Sequence, residues 1–496
     1  MQANKTNEAE TDSGLGNILP EKMEFHASTR HLQADTFTPV GVYLRLRDAF
    51  PQSLLLECSD YSSRHDSYSY ICLKPLAGFE IRECFFRTRL NGREGARVNL
   101  EECQAVSGEQ PAVRLTGDFL SRIRIDGDHN AKVFPGLFGY TAYDAVNLFD
   151  NVALQRPAES GDPIPLMRYD LYQVVIAFNH FNNTLSICEL TADGQPSELS
   201  RVLSLLANRN ATSFPFFVRG GEHSLISDER FMEMVRQGIG HCARGDVFQI
   251  VLSRGFAQDF SGDEFNVYRA LRSINPSPYL FYFDYLGFKL FGSSPEAQLR
   301  VGEGRATINP IAGTVKRTGV PEKDAAMTEE LLQNEKENAE HCMLVDLARN
   351  DLSKHCTGVM VDTFREVQYY SHVIHLVSTV SGLVKKGAGT YGIFADTFPA
   401  GTLSGAPKHM ALRLIDRYEE SPRGFYGGAI GFIGLDGSLN HAIMIRSFMS
   451  RRGTLSYQAG AGVVIGSTPG GERDEVDGKI SALRKAIQLA ERFHEG

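Results

Sequence analysis

Short apolar runs separated by turn residues fill the first part of the chain and restrict it to antiparallel sheet. Between about residues 37 and 206 the runs alternate with Gly, Pro and Asn, and they read SLLLECSD, YSYICLKPL, LYQVVIAFNHF and TLSICEL. Strand-length runs bounded by turn residues are typical of antiparallel strands. The segment LSRVLSLLANRN has helical spacing and is predicted to close this half.

The rest of the chain begins after an interruption rich in Pro, Gly and Ser, RNATSFPFFVRGGEHSLISDE, where we place a domain boundary. Predicted strands and helices then occur in groups along the sequence, without a regular βαβ alternation. This order predicts an α+β fold in which antiparallel β-sheets form a two-lobed β-sandwich core flanked by helices. We expect a flexible tail over 1–30, an N-terminal domain over 31–215 and a catalytic domain over 226–496.

The composition is that of an ordinary soluble globular protein, with 42% hydrophobic and 22% charged residues. A net charge of −9 argues against nucleic-acid binding. Eight scattered cysteines without a Cys-x-x-Cys pair indicate reduced thiols, so we expect a cytoplasmic protein. No stretch reaches the apolar length of a membrane span, and no membrane partner is expected.

Two Glu-x-x-Glu pairs stand far apart in the sequence, Glu337 with Glu340 and Glu472 with Glu475. On a helix, residues three apart share one face. Converging carboxylates repel unless a hard cation lies between them, and Mg²⁺ takes one or two carboxylates while leaving positions for substrate oxygens. The pairs therefore predict a magnesium ion that is presented to an anionic ligand.

Seven ordered motifs from about residue 228 onward resemble the chorismate-utilising enzymes. They are NPIAGT (309–314), KENAEHCMLVDLARND (336–351), YSHVIHLVS (370–378), PAGTLSGAPK (399–408), the segment around Arg446, QAGAGVV (458–464) and the terminal Glu-x-x-Glu. Within that family the chain is most similar to the large, chorismate-binding subunits of anthranilate synthases. The resemblance implies Mg²⁺-dependent amination of chorismate at C2, followed by loss of pyruvate to give anthranilate for tryptophan synthesis.

The same resemblance assigns site residues. It implies Mg²⁺ ligation by Glu340 and Glu475, with Glu337 and Glu472 lining the metal site. It implies Glu296 as the acid at the leaving hydroxyl, His375 in pyruvate elimination and Thr402 beside the substrate. Substrate contacts are implied for Gly313, Thr314, Tyr426, Arg446, Gly460, Ala461, Gly462 and Lys479. Independently, the apolar neighbours of Arg446 in HAIMIRSFM, taken as a strand, predict an anionic partner for its guanidinium.

Two positions favour amination over the other reactions of the family. Relatives that add water to chorismate carry a lysine base where this chain has Gln249, and a neutral amide cannot deprotonate water. Aminodeoxychorismate synthases commonly carry a lysine nucleophile where this chain has Ala312. The alternatives are an aminodeoxychorismate or aminodeoxyisochorismate synthase and, third, a non-enzymatic tryptophan-sensing subunit.

The resemblance also implies partners. The chain has no Gly-x-Cys-x-Gly elbow, so ammonia is expected from a separate glutamine amidotransferase subunit within a heterotetramer. SLLLECSD and NPSPYL resemble the two segments of a tryptophan feedback site, which assigns tryptophan contacts to Cys58, Pro278, Tyr279 and Leu280. This chain has Cys58 where the family usually has a serine, and Leu280 where it usually has a methionine. A thiol forms weaker hydrogen bonds than a hydroxyl, which predicts weakened inhibition by tryptophan.

Overall fold

The computed structural model describes residues 22–58, 67–107, 110–150, 152, 154, 163–208, 210–369 and 373–494. The helices are α1 (Pro39–Leu46), α2 (Leu100–Ser107), α3 (Pro111–Ser121), α4 (Leu199–Ala207), α5 (Asp228–Arg244), α6 (Phe265–Ile274), α7 (Pro321–Gln333), α8 (Glu335–Ser353), α9 (Thr390–Thr397), α10 (Gly401–Ser404), α11 (Lys408–Tyr418) and α12 (Pro469–Ala490).

The strands of the first half are β1 (Met23–Gln33), β2 (Leu54–Cys58), β3 (Tyr68–Arg82), β4 (Phe85–Leu90), β5 (Arg93–Asn99), β6 (Ile123–Gly127), β7 (Gly136–Thr141), β8 (Met167–Asn179) and β9 (Thr184–Thr191). Those of the second half are β10 (Phe216–Ser224), β11 (Gln249–Gly262), β12 (Tyr279–Asp284), β13 (Lys289–Ser294), β14 (Ala297–Gly302), β15 (Arg305–Ile308), β16 (Ile311–Lys316), β17 (Cys356–Tyr369), β18 (Val373–Val384), β19 (Gly405–Ala406), β20 (Ala429–Gly434), β21 (Leu439–Ile443), β22 (Ser447–Arg451) and β23 (Thr454–Val463).

Strand pairing builds one curled antiparallel sheet with two layers that branch from β8. Layer A runs in the order β3, β2, β12, β13, β22, β23, β11 and β10. Layer B runs in the order β7, β20, β21, β14, β15, β18 and β17. Strand β8 pairs with β3 on one edge and with β7 on the other. The predicted antiparallel, two-lobed α+β fold is confirmed.

Alternating side chains of layer A divide the interior into two hydrophobic cores. On β12, Tyr279, Phe281 and Phe283 enter an inner core that also takes residues from layer B. Leu280 and Tyr282 face an outer core, where layer A packs against α1, α4, α5, α6, α11 and α12. This is the period-2 pattern expected of a strand that is buried on both faces.

The predicted boundaries need two corrections. Residues 23–30, expected in a flexible tail, belong to strand β1, which pairs with β6 and β9, whereas residues 1–21 lie outside the described residues. The interruption expected to separate two domains contains β10, which pairs with β11. Both hydrophobic cores take residues from 31–215 and from 226–496, because β2 pairs with β12 and β7 pairs with β20. In the described part of the chain, no helix is both long enough and apolar enough to cross a membrane.

Candidate active site

The chain crosses between the two layers at two adjacent points, and each crossing carries a predicted site residue. Glu296 lies between β13 of layer A and β14 of layer B, and Arg446 lies between β21 of layer B and β22 of layer A. The backbone N–H of Ile443 donates to the Glu296 carbonyl at 3.0 Å, and that of Ser293 donates to the Arg446 carbonyl at 3.1 Å. These bonds tie the two crossings together and place both side chains at the junction of the layers.

The sequence pattern predicted that Arg446 lies within a strand. In the structure it lies in the connection between β21 and β22. Its φ of 49° lies in the left-handed region, which a non-glycine residue adopts only under local constraint. Its Nη1 donates to Asn275 Oδ1 at a long distance of 3.4 Å. Burial lowers the pKa of the guanidinium, and only the nearby Glu296 carboxyl opposes this effect. The local environment therefore favours a further anion beside Arg446.

Glu296 is a buried carboxyl group, with 8% of the residue exposed. Thr402 Oγ1, on α10, donates a hydrogen bond to its Oε1 at 2.9 Å. Burial raises the pKa of Glu296 to about 7, although Thr402, Lys479 and Arg446 each pull it downward. A carboxyl group with this pKa is substantially protonated near neutral pH and can donate a proton to a leaving group.

His375 lies on β18 opposite a bulge in β16. The register between the two strands shifts between Ala312 and Thr314, and the intervening Gly313 has a φ of +83°, a conformation that favours glycine. The His375 ring donates to the Gly313 backbone carbonyl; burial and then Arg446 lower its pKa to about 4, so the ring is neutral at physiological pH. Thr314 belongs to β16, but its side chain lies outside the described residues.

In the segment QAGAG of β23, the two glycines leave the backbone uncovered by side chains. Gly460 and Gly462 lie opposite Ser253 and Val251 of β11, whereas the side chain of Ala461 enters the outer core. A Cβ at position 462 would lie 2.4 Å from Gln249 Nε2, and one at position 460 would lie 3.1 Å from the Tyr426 hydroxyl. Glycine thus leaves room here for Gln249 and the Tyr426 hydroxyl. Burial raises the pKa of Tyr426, so its phenol stays protonated.

Both acidic pairs lie near the N-terminal ends of capped helices. Asn334 Oδ1 accepts from the backbone N–H of Glu337 at the start of α8, and Thr468 Oγ1 accepts from that of Gly471 at the start of α12. Such caps start a helix at a defined residue, which fixes the direction of the carboxylates that follow.

The two helices bring one acid of each pair to the QAGAG segment. Glu340 Oε1 accepts from Gln249 Nε2 at 2.6 Å, and it lies 3.6 Å from the position of a Cβ on Gly462. Lys479 Nζ contacts Glu475 Oε1 at 2.8 Å and donates to the Gly460 carbonyl at 2.8 Å. Glu472 is buried and Glu337 is half-buried on the same two helices.

These carboxylates fit a magnesium ion by their chemistry. Where side chains are described, no group of three or more His, Cys, Asp or Glu residues is arranged to hold a metal. Magnesium, however, needs only one or two protein carboxylates and completes its shell with water and substrate oxygens. Glu340 and Glu475 supply such oxygens, and each already contacts a nitrogen donor, the Gln249 amide and the Lys479 ammonium.

Comparison with known proteins identifies the family. The sequence profile described as "chorismate binding enzyme" matches residues 84–485. The chain belongs to the chorismate-binding enzyme family. The chain is 35% identical to anthranilate synthase component 1 of Aquifex aeolicus, over 94% of this chain and 95% of the relative. It is 34% identical to anthranilate synthase component 1 of Thermus thermophilus, over 92% and 97%.

Solved structures agree with this assignment for the chorismate-binding enzyme. Anthranilate synthase component I from Streptococcus pneumoniae TIGR4 superimposes with a TM-score of 0.73 at 30% identity, covering 91% of this chain and 99% of that chain. A menaquinone-specific isochorismate synthase from Escherichia coli superimposes with a TM-score of 0.67 at 17% identity, covering 95% and 96%, and shows the shared fold. The resemblance drawn from the seven motifs is confirmed, and the chain is an enzyme of the chorismate-utilising family.

Sequence reasoning missed a buried ion pair that supports the site of this chorismate-binding enzyme. Arg423 donates from Nε and Nη2 to Glu419 at 2.9 and 2.6 Å, and also to the backbone carbonyls of Leu403 and Val251. Burial opposes the charge of Arg423, but Glu419 holds its pKa above the usual value. Leu403 follows Thr402, so the pair anchors α10 to layer A. The pair lies in the connection after α11, and no sequence pattern marked it.

The two segments expected to bind tryptophan are neighbours in layer A. Strands β2 and β12 pair so that Cys58 lies opposite Tyr279 and Glu57 lies opposite Leu280. Cys58 and Tyr279 face the inner core, Leu280 faces the outer core, and Pro278 precedes the strand. The four residues therefore do not share one face. Burial raises the pKa of the Cys58 thiol to about 12, so it remains protonated.

Proposed function

We propose that this enzyme converts chorismate and ammonia into anthranilate, pyruvate and water. Ammonia forms a C–N bond at C2 as the C4–O bond breaks and the hydroxyl leaves as water. The aminated intermediate then loses a proton from C2 and its enolpyruvyl group as pyruvate, which makes the ring aromatic. Relatives that cover the chain almost end to end are named anthranilate synthase component 1, and this supports the assignment.

The proposal rests on the buried Glu296 carboxyl group, which accepts a hydrogen bond from Thr402. A hydroxide ion is a poor leaving group, so the first step needs an acid that still holds its proton near neutral pH. The pKa of about 7 supplies one, and Thr402 orients it through a 2.9 Å hydrogen bond. Glu296 therefore donates its proton to the C4 oxygen as the bond to carbon breaks.

The charges around Glu296 suit a dicarboxylic acid substrate. Arg446 lies at the adjacent layer crossing, has a neutral Asn275 partner at 3.4 Å, and can pair with one carboxylate of chorismate. The backbone N–H groups of the QAGAG segment and the Tyr426 hydroxyl can receive carboxylate oxygens where no side chain intervenes.

His375 is proposed to act in the second step. Its ring donates to the Gly313 carbonyl, which fixes one nitrogen as the donor and leaves the other able to accept a proton. The lowered pKa keeps this ring neutral. His375 therefore removes the C2 proton while the enolpyruvyl group leaves.

Glu340 and Glu475 are proposed to hold Mg²⁺, with Glu337 and Glu472 as further acidic groups beside it. When bound, the ion would neutralise a substrate carboxylate and orient it. These acids would then bind the ion in place of their present partners, Gln249 and Lys479. The neutral Gln249 amide and the methyl group of Ala312 provide no amine base or nucleophile, which favours ammonia as the reactant over water or an enzyme lysine.

Ammonia is proposed to come from a separate glutamine amidotransferase subunit, since relatives are named as component 1 of a synthase. Tryptophan is proposed as a feedback inhibitor that contacts the paired segments β2 and β12. The weak hydrogen bonding of the Cys58 thiol predicts that this inhibition is weak.

The test is to incubate the purified chain with chorismate, Mg²⁺ and ammonium at alkaline pH and to follow anthranilate fluorescence. Fluorescent product that disappears with EDTA and returns with Mg²⁺ would support the reaction and the metal together. Chorismate consumption without fluorescence would contradict the second step. No consumption by the wild-type chain would overturn the proposed function.

A further inference from the structure

A small cavity lies beside Glu296 and is lined by residues of both β14 and α8. It has a volume of about 30 Å³, and its polar lining consists of Glu296, Gln298, Asp351, Thr397 and Thr402. Alanine and leucine side chains of α8, including Ala348, form much of the remaining wall. A cavity of roughly 10–15 Å³ already accommodates one water molecule if two to four polar groups surround it. The cavity is thus large enough and polar enough for a buried water.

Gln298 supplies an acceptor with no protein donor. It is 3% exposed, and its Nε2 donates to Thr397 Oγ1 at 3.2 Å. Its Oε1 is buried and has no hydrogen-bond partner among the described residues. A buried acceptor left without a donor costs roughly 1–3 kcal/mol, so a small donor molecule is expected at this oxygen.

Asp351 provides the other end of the cavity. It is buried on α8, where Lys408 Nζ donates to its Oδ2 at 2.8 Å and also to the Thr397 carbonyl at 3.0 Å. Burial raises its pKa, against the effects of Lys408 and Lys354, and Asp396 raises it further. Lys354 and His355 both pair with Asp396, and these three side chains are partly exposed to solvent. Asp351 therefore lies between the cavity and the protein surface.

We propose that the cavity binds one water molecule that donates to Gln298 Oε1, links Glu296 to Asp351, and forms a proton path from the active site to the C-terminal end of α8. Asp351 is a positioning and relay residue on this path and does not touch the substrate. The relay rests on the proposed function, in which Glu296 loses its proton to the leaving C4 hydroxyl.

The path gives Glu296 a second way to regain its proton between turnovers, besides the proton that the newly formed C2 ammonium group releases. Each turnover moves one proton from Glu296 to the departing water and leaves a buried carboxylate, which must be protonated again before the next chorismate reacts. Arg446 and Lys479 are the cations whose charges act on Glu296. Through the cavity, the bound water gives its proton to Glu296 and takes one from the side of Asp351. The groups that face Asp351 are Lys408, Lys354 and Asp396.

Two variants test the path without changing a group that contacts substrate. Ala348→Val fills the cavity and leaves every titratable group in place, and Asp351→Asn keeps the shape but removes the acid. Both are expected to lower kcat about tenfold or more, as a general-acid contribution allows. KM for chorismate should stay unchanged, and the solvent deuterium isotope effect on kcat should rise because reprotonation becomes rate-limiting. Asp346→Asn, an exposed change on the same helix, is the matched control and should match the wild type.

A crystal structure provides a readout that is independent of activity. An ordered water within hydrogen-bond distance of Gln298 Oε1 in the wild type, and its loss in Ala348→Val, would support the site. An apolar, dry cavity would overturn the proposal, as would an unchanged kcat and isotope effect in both variants. A fall in thermal stability with altered KM, but with an unchanged isotope effect, would assign Asp351 a purely structural role and also overturn the relay. If the wild-type chain consumes no chorismate, both the proposed function and the relay are overturned. The crystal structure still tests the water site independently of activity.

Discussion

Thr402 Oγ1 donates a hydrogen bond to Glu296 Oε1 at 2.9 Å, across two elements that are far apart in the chain. Glu296 lies where β13 passes into β14, and Thr402 lies on α10, which Arg423 anchors through the Leu403 carbonyl. Burial raises the pKa of this carboxyl group while the Thr402 hydroxyl lowers it. The pair thus sets how much of Glu296 is protonated at the pH of the reaction.

Replacing Thr402 with valine should move the alkaline limb of the kcat profile to higher pH. The hydroxyl stabilises the carboxylate form, so its removal raises the pKa of Glu296 and keeps the acid protonated further into the alkaline range. The measurement is kcat against pH at saturating ammonia. Thr363→Val, an exposed change on β17, is the control and should leave the limb in place. A limb that moves to lower pH in Thr402→Val would contradict the assigned role of the hydroxyl.

Replacing Glu296 with glutamine should abolish most activity and stabilise the fold at alkaline pH. Without the acid, kcat is expected to fall about 10²- to 10⁴-fold. The pKa of Glu296 is raised from 4.5 to about 7 in the folded state, so the folded protein holds a proton that the unfolded chain has lost between these values. The wild type therefore loses stability as the pH rises from 4.5 to 7, by up to about 3 kcal/mol.

The Glu296→Gln variant has no carboxyl group at this position, so it does not lose stability over this pH range. Its urea midpoint should exceed that of the wild type at pH 8 and approach it at pH 5. If the urea midpoints of the two proteins differ by the same amount at pH 5 and at pH 8, Glu296 does not titrate in this range.

The strand pattern predicted much of the fold and the motifs predicted the family, because both depend on local sequence. Alternating apolar runs indicated antiparallel strands, and β2, β3, β8 and β9 lie where those runs stand. The resemblance assigned substrate contacts to the QAGAG segment, and the structure places Gln249 and Tyr426 beside its glycines.

The remaining features depend on contacts between distant segments, which a single sequence does not record. The apolar neighbours of Arg446 suggested a strand, but the left-handed φ arises because the chain leaves layer B at that residue. Gln298 and Asp351 are separated by more than one element, and they line one cavity only because the fold brings α8 and β14 to it. The strand at residues 216–224 was hidden by its two glycines and by the proline that precedes it, which favour a linker when no pairing partner is known.

Replacing Gln249 with lysine should weaken magnesium binding. Gln249 Nε2 lies 2.6 Å from Glu340 Oε1, so an ammonium at this position would pair with Glu340 and compete with the cation. The Mg²⁺ concentration for half-maximal activity is expected to rise about tenfold or more, which corresponds to one ordinary charged hydrogen bond. The measurement is a magnesium titration of anthranilate formation. Gln333→Lys, an exposed change on α7, is the matched control. An unchanged titration in Gln249→Lys would argue against Glu340 as a ligand.

Replacing Arg423 with methionine should destabilise the enzyme more than any loss of a surface ion pair. The variant leaves Glu419 buried and without its main partner, a change that typically costs about 3–5 kcal/mol. Arg230→Met is the control, because Arg230 pairs with the exposed Glu420 beside it, and such pairs contribute roughly 0–1 kcal/mol. Urea unfolding of both variants at one pH makes the comparison. The double change Arg423→Met with Glu419→Leu should recover part of the loss, since it removes the uncompensated charge. If Arg423→Met and Arg230→Met unfold at the same urea concentration, the buried pair does not support α10, and the position of Thr402 must depend on other contacts.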